Sequence, residues 1–454
     1  MALADPITPQ SLKPALDALL LAAKRAGATQ ADALASHGRS SAITVRDGKL
    51  EDIDNSEGRD IGLRVFVGQR QACVSSSDIS PDSIEALADR AVAMAKLAPE
   101  DPYCGLADKS LWSAKRDAEG LELYDGTYLS PADLKDRALQ VEAAAKSIKG
   151  VNQAEGASAS ASSSARFFMT SDGFAGGWQS SNYGVSVAAI AEQNGAMERD
   201  YDYDSRRWLS DLRTPEDVGR RAGERTIARL GAKQLPSGAM PIIFDERVAN
   251  SLVGAMLGAI SGPSIARGVS FLKDKLGEPV FAKHIQIIDD PSRLRGPASK
   301  PFDGEGMKVS KTAIIKDGIL TTWLLNTSSA KQLGLAPTGH GGRGVSAPPG
   351  VSTSNTYLAA GTKTQADLIA EVGNGLLISE MFGPSLNSNT GDYSVGVAGF
   401  HIENGVMTHP VSEVTIAGNL LEIYKTMVPA NDLIFDRSTV APSLLCEGLT
   451  LAGS

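Results

Sequence analysis

The sequence of 454 residues is short of several things, and each shortage removes a class of answer. No run reaches the roughly 18 apolar residues that a bilayer-crossing helix needs. The most apolar stretch, SLVGAMLGAISG (251–262), is bounded by Glu246, Arg247 and Arg267. Cysteine is scarce: Cys73, Cys104 and Cys446 are widely spaced with no C-x-x-C, which excludes a disulfide framework or a zinc knuckle and suits a reducing compartment. All three are expected to be small buried hydrophobes. Basic charge is in deficit, with 44 Lys and Arg against 53 Asp and Glu and a net charge of -9, so direct binding to nucleic acid is not expected. MALADPITPQ has no basic start ahead of an apolar core, and LDALLLAA is flanked by Lys13, Lys24 and Arg25. Neither signal peptide nor membrane anchor is expected, and a cytoplasmic location follows. H-E-x-x-H, G-x-S-x-G and a Walker A loop are all missing.

What is present is the balance of a folded, multi-domain chain: 42% hydrophobic and 21% charged residues. SPDSIEALADRAVAMAKL (80–97), SPADLKDRALQVEAAAKSI (130–148) and TPEDVGRRAGERTIARL (214–230) each open with a capping hydroxyl, a proline and an early acid, which predicts three helices. An earlier helix, SLKPALDALLLAAKRAG, lines up Leu12, Leu16, Leu19, Leu20 and Ala23 and stops at Gly27. Between them the period falls to two, with hairpin turns at Asp47-Gly48, near Gly68, at Asp172-Gly173 and at Asn194-Gly195. The Ala/Ser tract 156–165 alternates into RFFMT and predicts a tightly packed strand in place of the linker that its composition alone would allow. Further hairpins turn at Asp317-Gly318 and Asn404-Gly405. The fold class is therefore α+β: two N-terminal helix/antiparallel-strand units of related pattern (1–115 and 116–234, with a linker near 98–112) and a larger, mostly antiparallel β-rich C-terminal domain (235–454) that could curl towards a barrel.

Residues with chemistry are few. GHGGRG (339–344) matches G-x-G-x-x-G, but the prolines of the following VSAPPG forbid the helix that would hold a pyrophosphate, so a mobile loop with His340 at its tip is expected. With a two-residue turn at Asn404-Gly405, His401 and His409 fall on opposite faces and cannot share an ion unless a bulge intervenes. Asp289 and Asp290, and Asp303 and Glu305, are close enough in sequence for paired acid and base roles or for a hard cation; exposed turn carboxylates are the commoner outcome.

Four long strings, SLVGAMLGAISGPSIARGVSFLKDKLGEPV, PFDGEGMKVSKTAIIKDGILTTWLLNTSSAKQLGL, STSNTYLAAG and TGDYSVGVAGFHIENGVMTHPVSEVTIAGNLLEI, resemble the TldD/PmbA (TldE) family, once described as modulators of DNA gyrase. The likeness spans nearly the whole chain and is closest to the PmbA (TldE) branch. It implies a cytosolic two-subunit metallopeptidase acting on peptides or unfolded chains, in which a TldD-like subunit holds zinc with H-E-x-x-x-H and a late cysteine. In register with that pattern, Gly254 and Ala255 stand where the His-Glu pair would be and Ala259 where the second His would be. The late stretch FDRSTVAPS (435–443) has no cysteine, and Cys446 lies beyond it.

Zinc needs three protein ligands and an open position, and glycine and alanine offer no lone pairs. The resemblance therefore implies a subunit with no cofactor and no catalytic residue of its own, its zinc in a TldD-like partner, or a homodimer when it is alone. Gly254, Gly258 and Gly262 repeat every four residues and are expected to press one helical face against a strand of the same sheet or a partner subunit. Peptide or partner contacts are expected at His340, Asn355, Tyr357, Asp303 and Glu305. Two rival readings are an active peptidase with ligands relocated to His340, Asp303 and Glu305, and a non-enzymatic protein that binds DNA gyrase.

Overall fold

The computed structural model describes residues 7–453. The N-terminal half contains α1 (Pro9–Ala26), β1 (Gln30–Arg46), β2 (Lys49–Val67), β3 (Arg70–Ser76), α2 (Pro81–Leu97), α3 (Pro131–Lys146), β4 (Val151–Thr170), β5 (Ala175–Gln193), β6 (Ala196–Arg206) and α4 (Pro215–Ala228). The caps act locally as their sequence suggests: Thr8 accepts from the Ser11 amide, Ser130 and Asp133 form a reciprocal capping box, and Thr214 accepts from the Asp217 amide. Ser80 is an exception, making no side-chain cap to α2 while its own amide bonds to Asp78. At Asp47-Gly48 and Asn194-Gly195 both turn residues take positive φ, as tight hairpins between twisted strands require.

The two N-terminal units are halves of one six-stranded sheet, ordered β3-β2-β1-β4-β5-β6, joined by antiparallel pairing of β1 with β4. Residue parity explains the layering. Ala31, Ala33 and Ala35 with Phe167 and Met169 pack under α1 and α2, while Ile43 and Val45 with Ala157 and Ala159 pack under α3 and α4. All four helices thus cover one face of the sheet. Small residues allow close approach: a Cβ at Gly219 of α4 would sit 2.3 Å from the Val141 carbonyl oxygen of α3. The even-numbered side chains of β1 and β4 point the other way, and there Leu34 and Phe168 meet Phe174 and Phe302. That reverse face carries the C-terminal unit.

The C-terminal unit opens with β7 (Gly238–Ala239), β8 (Ile242–Phe244), α5 (Glu246–Ala259) and α6 (Gly262–Ala266). It continues with β9 (Ile287–Asp289), β10 (Thr312–Lys316), β11 (Ile319–Leu320), α7 (Thr327–Leu333), β12 (Gly341–Gly342), β13 (Gly350–Val351), β14 (Thr356–Leu358) and α8 (Gln365–Val372). The long strands β15 (Gly375–Leu386), β16 (Asp392–Glu403) and β17 (Val406–Asn419) follow, and then α9 (Leu420–Thr426), β18 (Val428–Pro429), β19 (Thr439–Val440), β20 (Leu444–Cys446) and β21 (Leu449–Ala452).

One sheet runs β18-β20-β8-β15-β16-β17-β21-β7 and a second runs β11-β10-β9-β14-β19. The hairpin at Asp317-Gly318 lies in the second sheet and the hairpin at Asn404-Gly405 in the first, so the two do not build a single sheet. The larger sheet stays open, with β18 and β7 at its edges, and does not curl into a barrel. Residues 98–112 are not a free linker: Trp112 bridges to Met307, and the Lys308 amide donates to the Leu111 carbonyl.

Candidate functional site

Helix α5 follows directly from β8. Asp245 caps it by accepting from the Arg247 amide, and Ala249, Leu252, Val253, Met256 and Ala259 bury its inner face. That face belongs to the main core, which also holds Phe244, Ile378, Val395 and Tyr424, and the Tyr424 hydroxyl donates to the Leu252 carbonyl at 3.1 Å. The late stretch 435–443 does reach this helix, since Arg437 donates to the Arg247 carbonyl at 3.1 Å and β19 pairs in parallel with β14. Burial pushes the Glu246 carboxyl at the start of α5 up to about 7, helped by the charges of Asp245 and Asp436.

The glycine face does not behave as its spacing suggests. Gly254 and Gly258 are exposed, and a Cβ on either would meet nothing within 4 Å. Gly262 is different: α5 has ended at Ala259, and a Cβ at Gly262 would lie 2.6 Å from Ser329 Cβ. The stripe is broken by the change of helix, and no strand among the described residues covers its first two glycines.

A second expectation fails at His340. It is not the tip of a mobile loop but is 3% exposed, with Nδ1 2.8 Å from Thr338 Oγ1 and Nε2 3.6 Å from Asp289 Oδ2. Three contacts pin the loop. The Gly341 amide donates to Asp303 Oδ2, β12 pairs with β13, and Arg343 donates to Asp32 of β1. Gly62 in β2 leaves room for this approach, because a Cβ there would fall 1.9 Å from the Val345 carbonyl oxygen.

The carboxylates at 303 and 305 are buried as well, which overturns their reading as exposed turn residues. Asp303 Oδ1 accepts from the Glu305 and Met307 amides, and Glu305 Oε2 accepts from the Thr327 amide. Burial raises the Asp303 carboxyl, and burial with the charge of Asp303 pushes Glu305 up to about 7. Burial would also raise Asp289, but hydrogen bonds from His340, Ser354 and Thr356 outweigh it and hold this carboxyl low.

Asn355 is buried and spent on structure, accepting from the Ala298 amide and donating to the Asp290 carbonyl and Ser299. Tyr357 stands apart from that group, edge-on to Phe435 with ring centroids 5.3 Å apart. The fold thus gathers His340, Asp303 and Glu305 around Gly341 and puts Asn355 and Tyr357 to other uses.

Sequence reasoning passed over the ion network behind this loop, in which Asp32 accepts from both Arg64 and Arg343. The available signal was a lone acid in the apolar alternation QADALA.

The histidines at 401 and 409 also depart from the two-residue-turn geometry. The register of β16 against β17 shifts between Phe400 and Ile402, and this bulge brings the two rings to 5.1 Å between centroids. Of the cysteines, Cys446 is buried while Cys73 and Cys104 are only half-buried.

Profiles of the PmbA/TldA metallopeptidase family match the chain in three stretches: domain 1 at residues 31–95, the central domain at 124–230 and the C-terminal domain at 237–453. Metalloprotease PmbA of Escherichia coli O157:H7 is 38% identical over 90% of this chain and 89% of its own. The chain belongs to the PmbA/TldA metallopeptidase family.

A PmbA homologue of Haemophilus influenzae is 32% identical over 98% of this chain and 97% of its own. Among solved structures, a protein from Bacteroides thetaiotaomicron described as a modulator of DNA gyrase superposes with a TM-score of 0.88 at 26% identity, covering 98% of this chain and 99% of the other. TldE from Thermococcus kodakarensis shares the fold with a TM-score of 0.83 at 20% identity, covering 97% of this chain and 100% of its own.

Membership of a metallopeptidase family implies zinc, and the donors on α5 can be tested for it. Gly254, Ala255 and Ala259 have no lone pair to offer, and Cys446 is buried in β20. Among the described residues no group of three or more His, Cys, Asp or Glu side chains is arranged to hold a metal ion. The residues at this helix do not fit a zinc ion.

Proposed function

We propose that this chain is the PmbA/TldE-type, catalytically silent subunit of a two-subunit zinc peptidase. A TldD-like partner supplies the metal, the general base and the hydrolytic step. This chain helps enclose a peptide or unfolded polypeptide and offers a sheet edge for main-chain pairing. One observation carries the reading: α5 keeps its cap and its packed inner face while positions 254, 255 and 259 present only hydrogen and methyl groups. Relatives named as metalloproteases support the reaction class. The uncovered face at Gly254 and Gly258 supports contact with another subunit.

The test measures bound zinc and peptide cleavage for the purified chain alone and after mixing with a TldD-like protein. The lone chain should hold no stoichiometric zinc and cleave nothing; the mixture should form a stable complex and cleave. Stoichiometric zinc with turnover from the lone chain, abolished by His340→Ala, would overturn this reading in favour of relocated ligands.

A further inference from the structure

A cavity of about 190 Å³ lies between Cys104-Gly105, the end of α6 and α7, away from the outer face of α5. Its lining groups are unmatched in a complementary way. Glu305 is 3% exposed, and among the described residues its side chain accepts a hydrogen bond at Oε2 alone, from the Thr327 amide. Gln71 Oε1 is a buried acceptor with no partner among the described residues. Glu305 Oε1 and Gln71 Oε1 thus accept no hydrogen bond among the described residues, although the Arg64 guanidinium, held on Asp32, lines the same cavity and acts on the charge of Glu305. Opposite in character are Arg267, which lines the mouth with no ion pair or hydrogen bond from its side chain among the described residues, and Ser328, whose hydroxyl is likewise free.

Leaving a buried polar atom unpaired costs roughly 1–3 kcal/mol, so Gln71 Oε1 marks a place where something else completes it, while Arg267 and Ser328, which solvent reaches, stand ready to bind without that penalty. Two acceptors suit an ammonium. A guanidinium beside a hydroxyl suits a carboxylate. The volume bounds the size: it exceeds the roughly 150 Å³ cavity that takes up benzene and falls short of the ~300–1,000 Å³ of drug-sized pockets.

We propose that this cavity binds a small zwitterion of amino-acid or dipeptide size, with its ammonium on Glu305 and Gln71 and its carboxylate on Arg267 and Ser328. The site is non-hydrolytic and does not depend on the catalytic silence proposed above.

Calorimetric titration of the full chain decides it, using L-alanine and the dipeptide Gly-Ala, with L-alaninamide and N-acetyl-L-alanine as singly charged controls. At least one zwitterion should bind one per chain, capping either end should weaken binding ~10-fold or more, and Arg267→Met should do the same. Arg267 is exposed, so this variant keeps the fold; Glu305→Gln, which retains the acceptor for Thr327, should weaken the zwitterion while leaving N-acetyl-L-alanine unchanged. Preference for alanine assigns a free amino acid, and preference for Gly-Ala assigns a peptide. No binding at about 10 mM of either zwitterion, equal binding of the capped probes, or unchanged affinity in Arg267→Met would overturn the proposal.

Discussion

Asp32→Asn tests how the two halves of the molecule are held together. Asp32 is fully buried on β1, on the sheet face turned away from the helices. Its Oδ2 accepts from Arg64 Nε at 2.6 Å, and its Oδ1 accepts from Arg343 Nε and Nη2 at 3.1 Å each. Both guanidinium groups are buried too. With the charge removed, Arg343 keeps the Gly344 and Ala347 carbonyls, and Arg64 keeps its position 4.9 Å over the Phe66 ring.

Neither of these contacts supplies a countercharge, and the acid that still acts on Arg64 is the buried Glu305. Breaking a buried ion pair from one side costs about 3–5 kcal/mol, because it strands an uncompensated charge, here that of Arg343. Urea unfolding followed by tryptophan fluorescence should show a loss of that size. The triple variant Asp32→Leu, Arg64→Met, Arg343→Met should recover most of it, since no buried charge is then left alone. A single variant within about 0.5 kcal/mol of the parent, or a triple variant less stable than the single, would refute the electrostatic account.

Gly258→Ala should stabilise the lone chain by roughly 0.5–1 kcal/mol, because the site is open and alanine is the better helix former, whereas Gly262→Ala should destabilise it by about 1–3 kcal/mol through collision with Ser329; thermal unfolding of both variants reads the difference in sign. Folded Glu305 titrates near 7, against about 4.3 in the unfolded chain. The native state therefore holds a proton that the unfolded state has released, and this group's contribution to stability falls as pH rises from about 4.5 to 7 and is flat above and below. Unfolding midpoints across that range should be less pH-dependent in Glu305→Gln than in the parent, and a parallel pair of curves would contradict the assignment. Burial and the neighbouring His401 lower the His409 pKa, so His401→Ala should raise it towards the ordinary value in an NMR titration.

Local chemistry explains which parts of the fold were legible. The turns at Asp47-Gly48, Asn194-Gly195, Asp317-Gly318 and Asn404-Gly405 all place both residues at positive φ, since only Gly, Asn and Asp do this at low cost. The caps at Ser130 and Thr214 are equally local. What sequence could not give is contact between distant segments. GHGGRG reads as a glycine-rich loop, and its burial depends on Asp32, 311 positions away from Arg343. The meeting of His401 and His409 depends on a bulge that the turn residues do not announce. Periodicity counted Gly262 with Gly254 and Gly258, because it could not see that a new helix begins at 262.

The two exposed glycines of α5 pose a question that the fold of this chain does not answer. In a helix interior each costs up to about 1 kcal/mol relative to alanine, through backbone entropy. Gly219 in α4 has a steric reason, the Val141 carbonyl against it; Gly254 and Gly258 have none among the described residues. The inner face of α5 would hold equally well with alanine there, since Leu252, Val253, Met256 and Ala259 make its contacts. If a surface of another subunit passes close to that face, the bareness of the two residues has a use, and Gly258→Leu should then weaken association with a TldD-like protein while leaving the lone chain folded. Unchanged association would remove the face from the interface and leave the glycines as a plain cost to the helix.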